Sequence, residues 1–222
     1  MDTEDKIFIV ADGMGGHAGG EIAAQMTTAT IHNHIHAQMV AAKSYTQTEI
    51  LQILIDAINL ASTKVYEKAL EEPGLKGMGT TATAVKIHAD YCYCGHVGDS
   101  RVYLIREGFI YQLTKDHSLV KEQLEAGIIT LEEAKTHKLR NVITRSVGYQ
   151  ETEYIDTVFF PIFPHDFILL CSDGLYNKVS NIEITHFCQR LGVDCVNDMI
   201  DLANERGGDD NITIILSQVF SP

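Results

Sequence analysis

Three aspartates in this 222-residue chain stand where a carboxylate could help hold a metal ion. Asp12 follows the apolar run Ile7 to Ala11 and precedes Gly13; Asp173 follows Phe167 to Ser172 and precedes Gly174; Asp210 lies in Asp209-Asp210-Asn211, directly before Ile212 to Ile215. Each therefore sits at the rim of a buried apolar strand, where the backbone is rigid and solvent is near. Aspartate is short, so the strand end fixes its carboxylate, and a following glycine lets the backbone carbonyl approach an ion. Oxygen donors without a His or Cys cluster select hard cations such as magnesium or manganese. Two such ions held about 3.5–4 Å apart can activate a bridging water and polarise a phosphoryl oxygen. A single Asp-Gly pair is also an ordinary Asx turn. The recurrence at three strand ends is what points to metal.

Two further features carry less alone. Asp99, in Gly98-Asp99-Ser100-Arg101, reads as a hairpin turn with a solvated charge. The glycine-rich stretch Gly13 to Gly20 could expose N–H groups to an anion. No Lys-Ser/Thr follows its glycines, so it does not match the P-loop, and nucleotide binding is not supported.

The elements that must position these residues follow from periodicity. Ile7 to Val10 reads as a buried strand. Helical spacing covers Glu21 to about Ala42, and more strongly Glu49 to Leu70, where Ile50, Leu54, Ala57, Ala61 and Val65 form one stripe closed by Pro73-Gly74. Strands are expected at Thr80 to His88, Tyr91 to His96, Arg101 to Arg106, Phe109 to Leu113, Tyr154 to Phe160, Phe167 to Cys171 and Ile212 to Val219. Ser118 to Lys138 has a helix-like composition broken at Gly127, and helices are expected near Ile182–Arg190 and Asp194–Glu205. Helices come in pairs between blocks of strands, without βαβ alternation. This favours an α+β fold, antiparallel sheets covered by helices.

Composition narrows the partners. Lys and Arg total 17 against 30 Asp and Glu, a net charge of −13, which lacks the basic footprint of nucleic-acid binding. Most of the excess suits a solvated acidic surface; part could be concentrated at a metal site. Five cysteines without C-x-x-C spacing read as reduced thiols, which suits the cytoplasm. The acidic start shows no signal peptide, and no apolar stretch approaches a membrane span, so no membrane partner is expected. The length is that of a single domain, residues 1–222.

Taken together, the segments resemble the metal-dependent protein serine/threonine phosphatases, the PPM or type 2C-like family, in its bacterial branch. The matching stretches are Val10 to His17, Gly79 to Ala82, Gly98 to Arg101, Leu113 to Ser118, Thr144 to Gly148, Ser172 to Leu175 and Asp210 to Thr213, in the family's order. The resemblance implies a β-sandwich of two antiparallel sheets flanked on both outer faces by helices. At one end would lie a centre of two Mn2+ or Mg2+ ions. Asp12 would bridge them, the Gly13 carbonyl would bind one, and Asp173 and Asp210 would complete the other. Asp99 matches the aspartate that, with Asp173, holds a weaker third ion. A metal-bridging hydroxide would attack phosphorus on phosphoserine or phosphothreonine of a protein, the target of a serine/threonine kinase. Residues 118–140 match the mobile flap beside the site.

The histidines divide. His17 stands in the loop where the family places a proposed general acid, a role that suits a side chain titrating near neutrality. A solvent-facing loop histidine is an equal reading. His117 is expected to be structural. His32, His34 and His36 alternate along one helix, placing them on different faces, so no shared metal is expected.

The resemblance breaks at the start. The family carries a first strand and an Arg-x-x-Asn-Glu-Asp motif upstream of the Asp-Gly loop, whereas eleven residues precede Asp12 here and none is arginine. That arginine grips the substrate phosphate, and a bidentate guanidinium is hard to replace. Three expectations follow from the departure: a piece of a longer phosphatase, a short form with weakened activity, or an impaired or pseudo-phosphatase acting as a phosphoprotein- or partner-binding module.

Overall fold

A computed structural model describes residues 1–41 and 44–220, apart from the His17 side chain. Two four-stranded antiparallel sheets face each other. The first has the order β1 (Ile7–Val10), β4 (Ala82–His88), β5 (Tyr91–Val97), β8 (Asp156–Pro161). The second has the order β10 (Ile214–Gln218), β9 (Phe167–Cys171), β6 (Arg101–Arg106), β7 (Phe109–Gln112). A small ladder joins β2 (Gly13–Met14) to β3 (Gly79–Thr80). The long helices α1 (His17–Ala41) and α2 (Gln47–Glu71) cover the first sheet, and α6 (Asn181–Leu191) and α7 (Val196–Glu205) cover the second.

The layering follows from the two-residue period of the strands. In β1, Phe8 and Val10 enter the apolar layer between the sheets while Ile7 packs under α1 and α2. In β9, Ile168 and Leu170 face the other sheet while Phe167, Leu169 and Cys171 face α6 and α7. Both faces of each central strand are covered, so these strands read as continuous apolar runs rather than alternating ones. Cys92 and Cys94 share the inter-sheet face, and all five cysteines are free and buried.

Local chemistry sets the helix limits. Thr46 accepts from Glu49 N–H at 3.3 Å, and the Glu49 carboxylate accepts from Thr46 N–H at 2.7 Å, a reciprocal cap that starts α2. The expected stripe from Ile50 to Val65 is buried against the first sheet. The helix α1 starts at His17 rather than Glu21, because the glycine-rich stretch runs directly into it; Ala42 lies outside the described residues.

Several expected bounds shift for identifiable reasons. The strand from Thr80 divides at Thr81, whose N–H and hydroxyl bond Asp12 instead of continuing one ladder. The last strand begins at Ile214 because the Ser172 hydroxyl intercepts the Thr213 N–H at 3.0 Å. His32 and His36 share a face after all, their rings stacked at 6.1 Å, because they lie four residues apart. Each pairs separately, His32 with Asp2 and His36 with Asp5, which ties the first turn of chain to α1. Between β7 and β8 lie the short helices α3 (Leu119–Glu125) and α4 (Leu131–Thr136), separated near Gly127 as the composition indicates. Among the described residues, no helix is long and apolar enough to cross a membrane.

Candidate metal centre

Antiparallel register gathers the strand ends that carry the aspartates. Cys171, at the end of β9, lies opposite both Ile214 of β10 and Arg101 of β6. Asp173, the loop holding Asp210 and the turn holding Asp99 therefore emerge at one end of the second sheet. In the first sheet, Val10 lies opposite Thr83 and Ala82 opposite Val97, which brings Asp12 beside the Gly98–Asp99 turn.

Short polar side chains then lock each approach. Asp12 N–H donates to Thr81 Oγ1 at 2.9 Å, and its carbonyl accepts from Thr81 N–H at 2.9 Å and Thr80 Oγ1 at 2.8 Å. Asp173 opens the one-turn helix α5 (Asp173–Tyr176) and accepts from Asn177 Nδ2 at 3.2 Å. Ser172 staples that turn to the Asp210 loop: its hydroxyl donates to the Asn211 carbonyl at 3.1 Å. A Cβ on Gly174 would lie 2.3 Å from that same carbonyl oxygen, so the two segments touch backbone to backbone. The Asp99 carbonyl accepts from the Tyr176 hydroxyl at 3.1 Å. Arg101 stacks 3.5 Å over the Tyr176 ring and forks onto Asp116 at 2.8 and 2.6 Å.

The carboxylates feel one another. Burial, then repulsion from Asp173 and Asp210, pushes Asp12 up to about 6. Burial, then repulsion from Asp173, Asp116 and Asp12, pushes Asp99 up to about 7. Asp173 is raised by burial and then by Asp210. Such a group is costly unless cations offset it. Among the described residues, no three His, Cys, Asp or Glu side chains stand together at metal-binding spacing. The donors are all oxygens, which fits a hard cation.

The structure thus brings Asp12, Asp173, Asp210 and Asp99 to one end of the sandwich. Gly13 lies there too, in β2, packed so tightly on Gly20 of α1 that a Cβ on Gly13 would sit 2.0 Å from the Gly20 carbonyl oxygen. His17 begins α1 three residues past Met14, and its side chain lies outside the described residues. Sequence reasoning assigned no part to Thr81, Ser172 or Tyr176. Their signal is weak, since each looks like an ordinary small or core residue until the register places it under an aspartate.

A cleft of about 550 Å³ opens between α3, α4 and this end, lined by Asp99, Asp116 and Asp173 together with Lys121, Lys135, Arg140 and Lys178. Of these cations, Lys121, Lys135 and Lys178 also pair with Glu125, Glu132 and Asp209. Carboxylates and cations lining one cleft suit metal ions beside a phosphoryl group.

The Gly13–Gly20 contact makes a prediction. Gly20→Ala would ordinarily favour a helix, but its Cβ would meet the Gly13 carbonyl carbon at 2.7 Å. Gly20→Ala should instead destabilise the protein by about 1–3 kcal/mol, as overpacking against fixed backbone does. Thermal melting beside the parent checks it.

Comparison with known proteins gives a consistent answer. The family model described as protein phosphatase 2C matches residues 2–211. The serine/threonine phosphatase stp of Listeria innocua is 36% identical over 220 residues, covering 97% of this chain and 86% of that protein. The solved serine/threonine phosphatase of S. agalactiae superposes with a TM-score of 0.85 at 36% identity, covering 97% of this chain and 93% of that one. The catalytic domain of the phosphatase PstP, solved in complex with two manganese ions, superposes at 0.83 with 32% identity, covering 97% and 88%.

Proposed function

This chain belongs to the bacterial branch of the protein phosphatase 2C family and is a protein serine/threonine phosphatase, and on that premise we propose that Asp12, the Gly13 carbonyl, Asp173 and Asp210 hold two manganese ions, with Asp99 and Asp173 serving a third. The observation that carries this reading is the gathering of mutually repelling, part-buried carboxylates from both sheets at one rim. The two-manganese complex of the PstP relative supports the metal and the count. Magnesium fits the same oxygen donors. When bound, two such ions lower the pKa of a coordinated water and offset charge on a phosphoryl oxygen.

The chain's own residues supply the rest. Thr80 and Thr81 fix Asp12 through its backbone, and Ser172 fixes the separation of the Asp173 and Asp210 segments. The cleft cations Lys121, Lys135, Arg140 and Lys178 meet the negative charge of a phosphorylated segment. Residues 118–140, with α3 and α4, form the flap that borders this cleft. His17 opens α1 directly after the Gly15-Gly16 pair, and serves as the acid for the leaving serine or threonine oxygen. The substrates are phosphoproteins made by a serine/threonine kinase, met in the cytoplasm, where five free thiols are at home. Nothing among the relatives favours a non-catalytic binding module.

The test is direct. Purified protein with manganese should hydrolyse a phosphothreonine peptide and p-nitrophenyl phosphate, lose this with EDTA and regain it with manganese. A protein inert in excess manganese and magnesium overturns the assignment of the ligands.

A further inference from the structure

Beneath the Asp99 turn lies a polar network that the proposed ligands leave unused. Gly98 adopts φ +109°, and a Cβ there would meet Thr81 Cβ at 2.6 Å, so the residue that precedes Asp99 cannot be anchored by a side chain of its own. It is anchored by His117 instead. The Gly98 N–H donates to His117 Nδ1 at 3.0 Å, and the His117 N–H donates to the Gly98 carbonyl at 2.8 Å. One residue thereby holds both backbone groups of Gly98.

The ring is itself fixed. A backbone N–H can only donate, so Nδ1 must accept and the ring proton resides on Nε2. That proton points to Asp156 Oδ2 at 3.1 Å, and the other oxygen of Asp156 accepts from Arg145 at 2.9 Å. The imidazole is 3% exposed and lies against the His96 ring at 4.9 Å. His96 is locked in turn, with Nδ1 on Thr83 Oγ1 at 2.9 Å and Nε2 on the Lys115 carbonyl at 3.1 Å. The His117 carbonyl also accepts from Thr144 N–H at 2.9 Å, and Leu119 N–H donates to the Val142 carbonyl at 2.9 Å. These bonds join the two stems from which α3 and α4 project.

We propose that His117 is a positioning residue for the phosphatase: through Gly98 it sets the place of Asp99, and through Thr144 it ties that place to the root of the α3–α4 segment. The inference rests on Asp99 being a metal ligand for its catalytic consequence, but not for its structural one. A carboxylate on a loosened turn loses ion affinity without changing how substrate is held, so manganese dependence should move and KM should not.

Two variants separate this from a packing role. His117→Ala removes the acceptor for Gly98, whereas in His117→Asn the side-chain oxygen can stand near the Nδ1 position and still accept. Both lose the bond to Asp156 and much of the ring packing. Amide hydrogen exchange read by NMR should show the Gly98 N–H slow in the parent and in His117→Asn, and at least about tenfold faster in His117→Ala. The manganese concentration for half-maximal hydrolysis of p-nitrophenyl phosphate should rise about tenfold in His117→Ala and less than about threefold in His117→Asn, with KM unchanged in both. Slow Gly98 exchange in His117→Ala, or equal manganese shifts in the two variants, overturns the proposal. Should the parent show no manganese-dependent activity, the ligand assignment fails instead, and the Gly98 exchange still decides whether His117 holds the turn.

Discussion

Asp173→Asn should leave a folded protein with on the order of a thousandth of the parent's phosphatase activity. The substitution keeps the shape of the side chain and its hydrogen bond with Asn177, so α5 should form as before. It removes a carboxylate that bears on the other members of the group, since Asp12 and Asp99 both feel Asp173 and Asp173 feels Asp210. A neutral amide offers one oxygen to a hard cation and no charge, so ion binding should weaken and the chemistry should fail with it. Stability should move the other way without metal. One of several mutually repelling charges is gone, and relief of about 1 kcal/mol corresponds to about 2–4 °C in melting temperature for a domain of this size. Manganese should therefore raise the parent's melting temperature well above that of Asp173→Asn, and EDTA should reverse the order. Melting curves with and without manganese, run beside a kcat measurement, check both halves. A variant retaining even a tenth of parental activity would remove Asp173 from the centre.

How much of this was legible beforehand depends on what each residue's signal was made of. Asp12, Asp173 and Asp210 were found because a charge at the end of an apolar strand is anomalous in one dimension, before any partner is known. The layers were legible for a similar reason: the helix α2 shows its stripe, and β9 shows a run too apolar for a one-sided strand. Asp99 was harder, because a charged hairpin turn is ordinary until register brings Arg101 opposite Cys171. His117 looked structural and is deeply buried, but its two bonds to Gly98 depend on residues nineteen apart and carry no local pattern. The one-turn helix at Asp173 and the β2–β3 ladder escaped because they contain four and two residues per element, too few for any period to register. His32 and His36 show the opposite error. Attention to their alternation with His34 hid the four-residue spacing that stacks their rings.

The carboxylates also make ion binding a function of pH, and the dependence tells which of them take part. Asp12 and Asp99 titrate near 6 and 7 in the metal-free protein, above their ordinary value. A carboxyl whose pKa is raised on folding stabilises the fold at low pH and loses that contribution as pH climbs through the folded value, so between about pH 4 and 7 these two groups weaken the metal-free protein as pH rises. His96, pushed down to about 4 by burial, then by His117, works in the opposite sense over much of that range, since the folded state resists its protonation. Melting of the metal-free protein alone would blur the two effects. The difference made by manganese does not, because His96 is no ligand and cancels. An ion must displace whatever protons its ligands carry. Going from pH 7.5 to 5.5, protonation of Asp12 should weaken affinity for the ions it holds about fourfold, while protonation of Asp99 should weaken affinity for the third ion about twenty-five-fold. Calorimetric titration at the two pH values reads the two steps, and proton release in buffers of different ionisation enthalpy gives an independent count. Asp99→Asn should abolish the steeper dependence and leave the fourfold one; if the parent shows only the fourfold loss, Asp99 stands outside the ion-binding group and the third site has no ligand on that turn.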